Sequence, residues 1–364
     1  MKTIKEIIQT FGHEYLDRFD DAMPGDHRKV IQAIINCRTN HYGATVYTCE
    51  DCGRTHIIYR SCGNRHCPNC QHHKARQWLN KQLKRQLPGH HFMITFTVPQ
   101  QIRHLIRSHQ RICYSALFEA SANTMKKLAN VSKYIGGDLP GFFGVLHTWG
   151  RQLQYHPHIH YVVPGGALSK KDCKWHPSKA HFYLPVKAMS IIFKTKFKDA
   201  MKKHHLYTQI PSKVWEQNFI VNSQAVGESQ RSIKYLAPYV FKVAISDYRI
   251  VNVENRRVKF KYRKNNSNRW RIMDLEVFEF MRRYLQHILP TGFMKIRYFG
   301  FLNPNCAVPL EKISALIQIA FGFLLKVPKI DIKPLKVPTC SFCGGDLIYR
   351  ASILALHRLP AGGG

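Results

Sequence analysis

His156-Pro157-His158-Ile159-His160-Tyr161-Val162-Val163 sets two imidazoles either side of one apolar residue, with a β-branched run behind them. Side chains along a strand alternate between faces, so His158 and His160 point one way and Ile159 points into a core. Two imidazoles on one face of a rigid strand are half of a metal site. A third comes from His147 if Phe142–Trp149 pairs antiparallel with Tyr155–Val163 through a turn around Arg151. His156 has the same parity and is the alternative, although it precedes a proline at the start of the strand. Gln154 is near enough in sequence to approach the site. Imidazoles suit zinc, but a divalent ion with open positions, magnesium or manganese among them, polarises a scissile phosphate and stabilises its leaving oxygen.

Tyr235-Leu236-Ala237-Pro238-Tyr239 supplies a candidate nucleophile pair. Residues four apart share one face of a helix, a geometry that Pro238 can kink or restart. A phenol with a pKa of about 10 is a poor nucleophile until a cation or base assists it, and Lys234 and Lys242 lie close in sequence. A metal beside such phenols can open a phosphodiester and leave the cut strand joined to the protein.

Cys49-x2-Cys52 and Cys67-x2-Cys70 are separated by fourteen residues, close to the spacing of a zinc ribbon, so the four thiolates are expected to close one tetrahedron. Cys37, Cys62 and His66 remain in the same segment and could form a second site with His41, His56 or His72. One or two structural zinc ions are expected, organising a fold and a binding surface without doing chemistry. Cys340-Ser341-Phe342-Cys343 is half of another ribbon whose partner pair is not evident, unless Cys306 contributes.

The elements that must position these groups fall into three segments. Residues 1–90 hold helices over Lys2–Phe11 and His27–Asn36, the cysteines, and a basic helix over His72–Leu87. Residues 91–248 alternate strands (His91–Val98, Phe142–Trp149, Tyr155–Val163, His181–Val186) with helices (Gln101–Ala129, Met189–Lys203). Residues 249–364 open with a hairpin, Arg249–Val253 and Arg256–Tyr262, around Glu254-Asn255. A basic loop over Lys261–Arg271, a helix over Glu276–His287 and a proline-rich linker over Lys326–Pro338 follow. Ile313–Val327 is too short and interrupted to span a membrane. Fifty-five basic against 22 acidic residues give a net charge of +33, which calls for a polyanionic partner. Eleven cysteines without a signal-peptide core point to metal ligation inside a cell rather than disulfides. The side chains placed to meet phosphates are Arg65, Lys74, Arg76, Lys234, Lys242, Arg256, Arg257, Lys259, Lys261 and Arg263.

Taken together the motifs resemble those of the HUH-superfamily rolling-circle transposases of the IS91 type, which use two tyrosines. The resemblance runs through Ser61-Cys62-Gly63-Asn64-Arg65-His66-Cys67-Pro68-Asn69-Cys70-Gln71, His91–Pro99, His147-Thr148-Trp149-Gly150, His156–Gly166, Tyr235–Ser246 and His287–Phe293. It implies an α+β fold: a central antiparallel-sheet catalytic domain with flanking helices, preceded by a small zinc-binding domain and followed by a basic α/β C-terminal region. It implies His147, His158 and His160 as ligands of catalytic Mg2+ or Mn2+, and Tyr235 and Tyr239 as nucleophiles. Cys37, Cys49, Cys52, Cys62, His66, Cys67 and Cys70 would serve structural zinc. The partners would be single-stranded DNA at transposon ends and target DNA, with no membrane. The protein would be cytoplasmic and nucleoid-associated in a prokaryote, and dimerisation is open. A plasmid replication initiator or relaxase shares this chemistry, and a zinc-dependent nucleic-acid-binding regulator shares the charge but forms no covalent adduct.

Overall fold

The computed structural model describes residues 1–227, 233, 244–264, 267, 269–322 and 338–355. Helices α1 (Ile4–Phe19) and α2 (Gly25–Ile35) lead into strands β1 (Ala44–Cys49) and β2 (Thr55–Tyr59) and then helix α3 (His72–Lys84). Strand β3 (His91–Thr97), helices α4 (Arg103–Ser108) and α5 (Gln110–Ala129), and strands β4 (Phe142–Trp149) and β5 (Tyr155–Pro164) follow. Next come β6 (Gly166–Ser169), β7 (Lys174–Pro177), α6 (Val186–Lys203), α7 (Lys213–Glu216) and β8 (Ile220–Gly227). The remainder is β9 (Ile250–Glu254), β10 (Arg257–Arg263), β11 (Trp270–Glu276), α8 (Val277–Leu285), β12 (Ile296–Phe299), α9 (Leu310–Phe321) and β13 (Leu347–Ile353). The fold is α+β, with antiparallel sheets and flanking helices.

The chain forms two compact units that interleave along the sequence instead of following one another as three consecutive segments. One comprises Met1–Ala75, Phe241–Ile288 and Asp331–Gly364, the other Arg76–Val240 and Leu289–Ile330.

In the first unit, α1 starts with a reciprocal cap: Thr3 Oγ1 accepts from the Glu6 amide at 3.1 Å, and Glu6 Oε2 accepts from the Lys2 amide at 2.8 Å. Strands β9 and β10 join through Asn255 and Arg256, both at positive φ (48° and 59°), a pairing that matches the twist of a two-residue hairpin loop. The expected loop over Lys261–Arg271 is shorter than its asparagines suggested, because Trp270 and Arg271 already belong to β11. That strand pairs with β10 from Arg257↔Glu276 to Arg263↔Trp270. Helix α8 is capped by Glu276 Oε2, which accepts from Phe278 and Glu279 amides.

In the second unit, the main sheet has the order β12-β4-β5-β3-β8 among the described residues, each neighbour antiparallel. Period-2 patterning decides its two faces. Phe92, Ile94 and Phe96 of β3, Phe142 and Leu146 of β4, and Ile159, Tyr161 and Val163 of β5 all enter one core with α5 and α6. Tyr161 is anchored there: its hydroxyl lies 2.6 Å from that of Ser121, whose own proton goes to the Leu117 carbonyl at 2.6 Å. The alternate residues, including His147, His158 and His160, therefore face the opposite side. The strand expected at His181–Val186 is absent; Tyr183 and Leu184 are buried in irregular backbone, and Pro185 starts α6.

Gly144 is required by this packing, since a Cβ there would meet the ring of Tyr161 on the neighbouring strand. Gly144→Ala is expected to destabilise the second unit by about 1–3 kcal/mol, because the ring is fixed and cannot yield. Chemical denaturation followed by fluorescence checks this; a change below about 0.5 kcal/mol, as at ordinary surface positions, contradicts it.

Candidate metal centres and nucleic-acid interface

Antiparallel pairing places His147 of β4 directly opposite His158 of β5, with His160 one strand step further on, opposite Val145. Ligand-capable nitrogens of the three imidazoles lie within 4.8 Å of one another. Ring centroids are 5.3 Å apart for His147–His158, 4.6 Å for His147–His160 and 4.7 Å for His158–His160. His156 stands beside the trio, 4.9 Å from His158, outside the cluster. Gln154 is in the β4–β5 turn, where its side-chain oxygen accepts from the Gln152 amide at 2.9 Å.

Two hydrogen bonds set the ring orientations. His158 Nδ1–H donates to the His156 carbonyl at 2.6 Å, which leaves Nε2 with a free lone pair. His160 Nδ1 lies 2.7 Å from Thr95 Oγ1 on β3, which frees its Nε2 in the same way when the hydroxyl accepts. The two Nε2 atoms are then 3.1 Å apart. Facing lone pairs repel unless a cation lies between them. Metal–nitrogen bonds of about 2.1 Å at right angles give a nitrogen separation of about 3.0 Å, so the spacing fits a shared ion. Burial reinforces this chemistry. Desolvation lowers His158 to about 4 and His156 to about 3, and pushes His147 and His160 well below the usual imidazole value. Neutral imidazole is the form that binds a metal.

Arg103, at the start of α4, is the functional candidate that motif spacing did not single out. Its Nε is buried with no hydrogen-bond partner among the described residues, burial lowers its pKa, and its charge also lowers His156 and His158. A guanidinium held next to the imidazoles is placed to meet an anionic oxygen there. Tyr235, Tyr239, Lys234 and Lys242 lie outside the described residues. Ile233 is described: it is buried and lines a cavity with Phe143 and Val162, on the same sheet face as the histidines.

The cysteines divide differently from the expected ribbon. Cys37, Cys62, Cys67 and Cys70 form one cluster, and Cys49, Cys52, Cys340 and Cys343 form another. The reason is the β1–β2 hairpin. Cys49 and Cys52 sit at its tip, whereas Cys37 and Cys62 flank its base, about 17 Å away at strand rise. Cys67 and Cys70 close on the base. His66 is outside the ligand set, its Nε2 accepting from Arg65 Nε at 3.2 Å. Tyr284 donates to the His66 carbonyl at 2.7 Å, tying α8 to this cluster.

Several basic residues are engaged within the fold. Arg256 makes two 2.9 Å contacts to Glu14, Arg257 pairs with Asp274 at 2.9 Å, and Arg65 is half-buried. Lys74 and Arg76 are exposed on α3. Lys259, Lys261 and Arg263 share the exposed face of β10, where Arg263 lies 4.6 Å over the ring of exposed Trp270. A basic strand with an adjacent exposed aromatic suits phosphates and stacked bases.

Comparison with known proteins gives two family models. Residues 141–308 match one described as "Putative transposase", and residues 7–98 match the IS91-type model described as "Transposase zinc-binding domain". The chain is similar to "Putative transposase y4qJ" of Sinorhizobium fredii, 32% identical over 327 residues that cover 82% of this chain and 80% of that one. It is also similar to the "Transposase for insertion sequence element IS801" of Pseudomonas savastanoi pv. phaseolicola, 25% identical over 363 residues, 90% of this chain and 84% of that one. No solved structure matches. Among the described residues no helix is long and apolar enough to cross a membrane.

Two outcomes are expected of the histidine centre. Thr95→Val keeps the shape of β3 but removes the partner of His160 Nδ1, so Mn2+ affinity of the full chain should fall about 10–100-fold by calorimetry. An unchanged affinity would show that Thr95 does not orient the ligand. Histidines with lowered folded-state pKa values stabilise the fold fully above the unfolded value of about 6.5 and progressively less as pH falls towards about 4. Each pH unit in that window costs about 1.4 kcal/mol per group. NMR titration without added divalent metal should find His158 still neutral at about pH 5.5; a midpoint near 6.5 refutes the assignment.

Proposed function

Because the chain belongs to the IS91-type transposases with an N-terminal zinc-binding domain, we propose that it nicks single-stranded DNA at its element's ends through a 5′-phosphotyrosine, in rolling-circle transposition. The observation that carries this reading is the trio of imidazoles, His147 and His158 buried and His160 half-buried, on the sheet face opposite the core, with the Nε2 atoms of His158 and His160 turned towards each other. When bound there, Mg2+ or Mn2+ would polarise the scissile phosphate and offset charge on the leaving oxygen.

The chain's own residues do the remainder. Oη of Tyr239 or Tyr235 attacks the phosphorus, forming an O–P bond as the bond to the 3′ oxygen breaks. The phenolic proton passes to solvent, and the departing 3′ oxygen takes one up to become a hydroxyl. That hydroxyl primes synthesis or strand transfer, and its return to the phosphotyrosine reseals DNA without a nucleoside triphosphate, because the ester energy is retained. A second tyrosine permits a second cleavage while the first stays loaded. Ile233, two positions before Tyr235 in sequence, lies on the sheet face that carries the histidines. Arg103 is suited to hold the scissile phosphate from the side of His156 and His158. Lys259, Lys261, Arg263 and Trp270 are suited to hold single-stranded DNA on the β9–β11 sheet.

Tyr235→Phe combined with Tyr239→Phe should abolish the covalent adduct with a labelled single-stranded element end in Mn2+, seen as a shifted band on a denaturing gel. Binding of that DNA should stay near wild type. Adducts that persist in the double variant would remove both tyrosines from the reaction.

A further inference from the structure

We propose that Cys49, Cys52, Cys340 and Cys343 form a second zinc site, which staples the C-terminal end of the chain to the tip of the β1–β2 hairpin. Two of its ligands lie far outside residues 7–98, the extent of the zinc-binding family match. The site is independent of the nicking chemistry.

The two halves are built alike. Cys49-Glu50-Asp51-Cys52-Gly53 and Cys340-Ser341-Phe342-Cys343-Gly344 share the pattern of two cysteines and a following glycine. Gly53 has φ 67° and Gly344 φ 81°, a left-handed conformation that glycine adopts without strain. In each half the glycine amide donates back to the first cysteine's carbonyl: Gly53 to Cys49 at 3.0 Å and Gly344 to Cys340 at 2.9 Å. Each turn thereby aims both of its sulfurs outwards to one side.

The turns then meet. Cys49 Sγ lies 3.4 Å from Cys343 Sγ, and Cys52 Sγ lies 3.7 Å from Cys340 Sγ. All four sulfurs are within 4.8 Å of one another. A disulfide needs about 2.05 Å. Tetrahedral zinc with bonds of about 2.3 Å needs sulfurs about 3.8 Å apart, which is close to what is seen. The sister cluster has the same edges, 3.6 Å for Cys62–Cys70 and 3.6 Å for Cys37–Cys67. His56 Nε2 lies 3.2 Å from Cys340 Sγ, a contact that offsets thiolate charge beside a metal. Arg54 adds a further clamp, its guanidinium 3.6 Å above the Phe342 ring.

The staple has a structural consequence. Strand β13 pairs with β1 from Ala44↔Ile353 to Cys49↔Leu347, on the side of β1 that β2 does not use. Most of its side chains are exposed, so apolar burial contributes little to holding it. Metal ligation at its entrance supplies what packing does not. The N-terminal sheet is therefore complete only when residues beyond position 339 have been made.

The test is the number of thiolate-bound zinc ions in the full chain, purified with reductant, from elemental mass spectrometry combined with the sulfur shell in zinc X-ray absorption. Two zinc ions per chain are expected for the wild type and one for Cys340→Ser/Cys343→Ser. Cys49→Ser/Cys52→Ser should also hold one. The retained ion at Cys37, Cys62, Cys67 and Cys70 shows that the variants are folded. Hydrogen exchange should show lost protection over 347–353 in the Cys340/Cys343 variant, with β4 and β5 unchanged. One zinc in the wild type, two in either variant, or a Cys49–Cys343 disulfide in the intact mass would overturn the proposal. None of these outcomes depends on DNA cleavage, so the site and the proposed nicking stand or fall separately.

Discussion

The register of β4 against β5 is the constraint on which the histidine centre depends. His147 meets His158 only if Leu146 meets Ile159, and those two are fixed by the core they share with α5 and α6. A shift of β5 by one residue would turn His158 and His160 into the core, away from His147, and expose Ile159 and Tyr161. Hydrophobic burial on one face of the sheet thus sets the geometry of the three histidines on the other. The buried Tyr161–Ser121 contact and the absence of a side chain at Gly144 hold that register from within.

The same burial prepares the imidazoles chemically. Removed from water, they resist protonation at neutral pH, and their ring rotations are fixed by a carbonyl on one side and a threonine on the other. Their ligand-capable nitrogens lie within 4.8 Å of one another, with the cost of desolvation already met by the fold. The first unit solves a different problem. Its β1–β2–β13 sheet has little apolar surface to bury, and its sulfur clusters take over the role of a core.

Much of the histidine centre was legible in sequence because its determinants are local. H-x-H alternation, a β-branched run and a short connection to a preceding strand contain enough information to orient His147, His158 and His160. The basic hairpin was legible for the same reason, through alternation around Glu254-Asn255. What escaped was long-range or conformational. Nothing in the spacing of Cys49, Cys52, Cys67 and Cys70 tells that a hairpin separates the pairs, or that the partner of Cys49 and Cys52 arrives 288 residues after Cys52. Trp270 and Arg271 belong to β11, although the asparagines just before them favour a loop. Arg103 is one basic residue among 55 and acquires meaning only from the folded position of β5.

Pulsed electron paramagnetic resonance of the full chain loaded with Mn2+ tests the central claim most directly. With nitrogen-15 histidine and a single-stranded element end present, the account predicts hyperfine coupling from three imidazole nitrogens and from one DNA phosphorus. Manganese bound without imidazole coupling, or with couplings that survive replacement of His147, His158 and His160 by alanine, would contradict it.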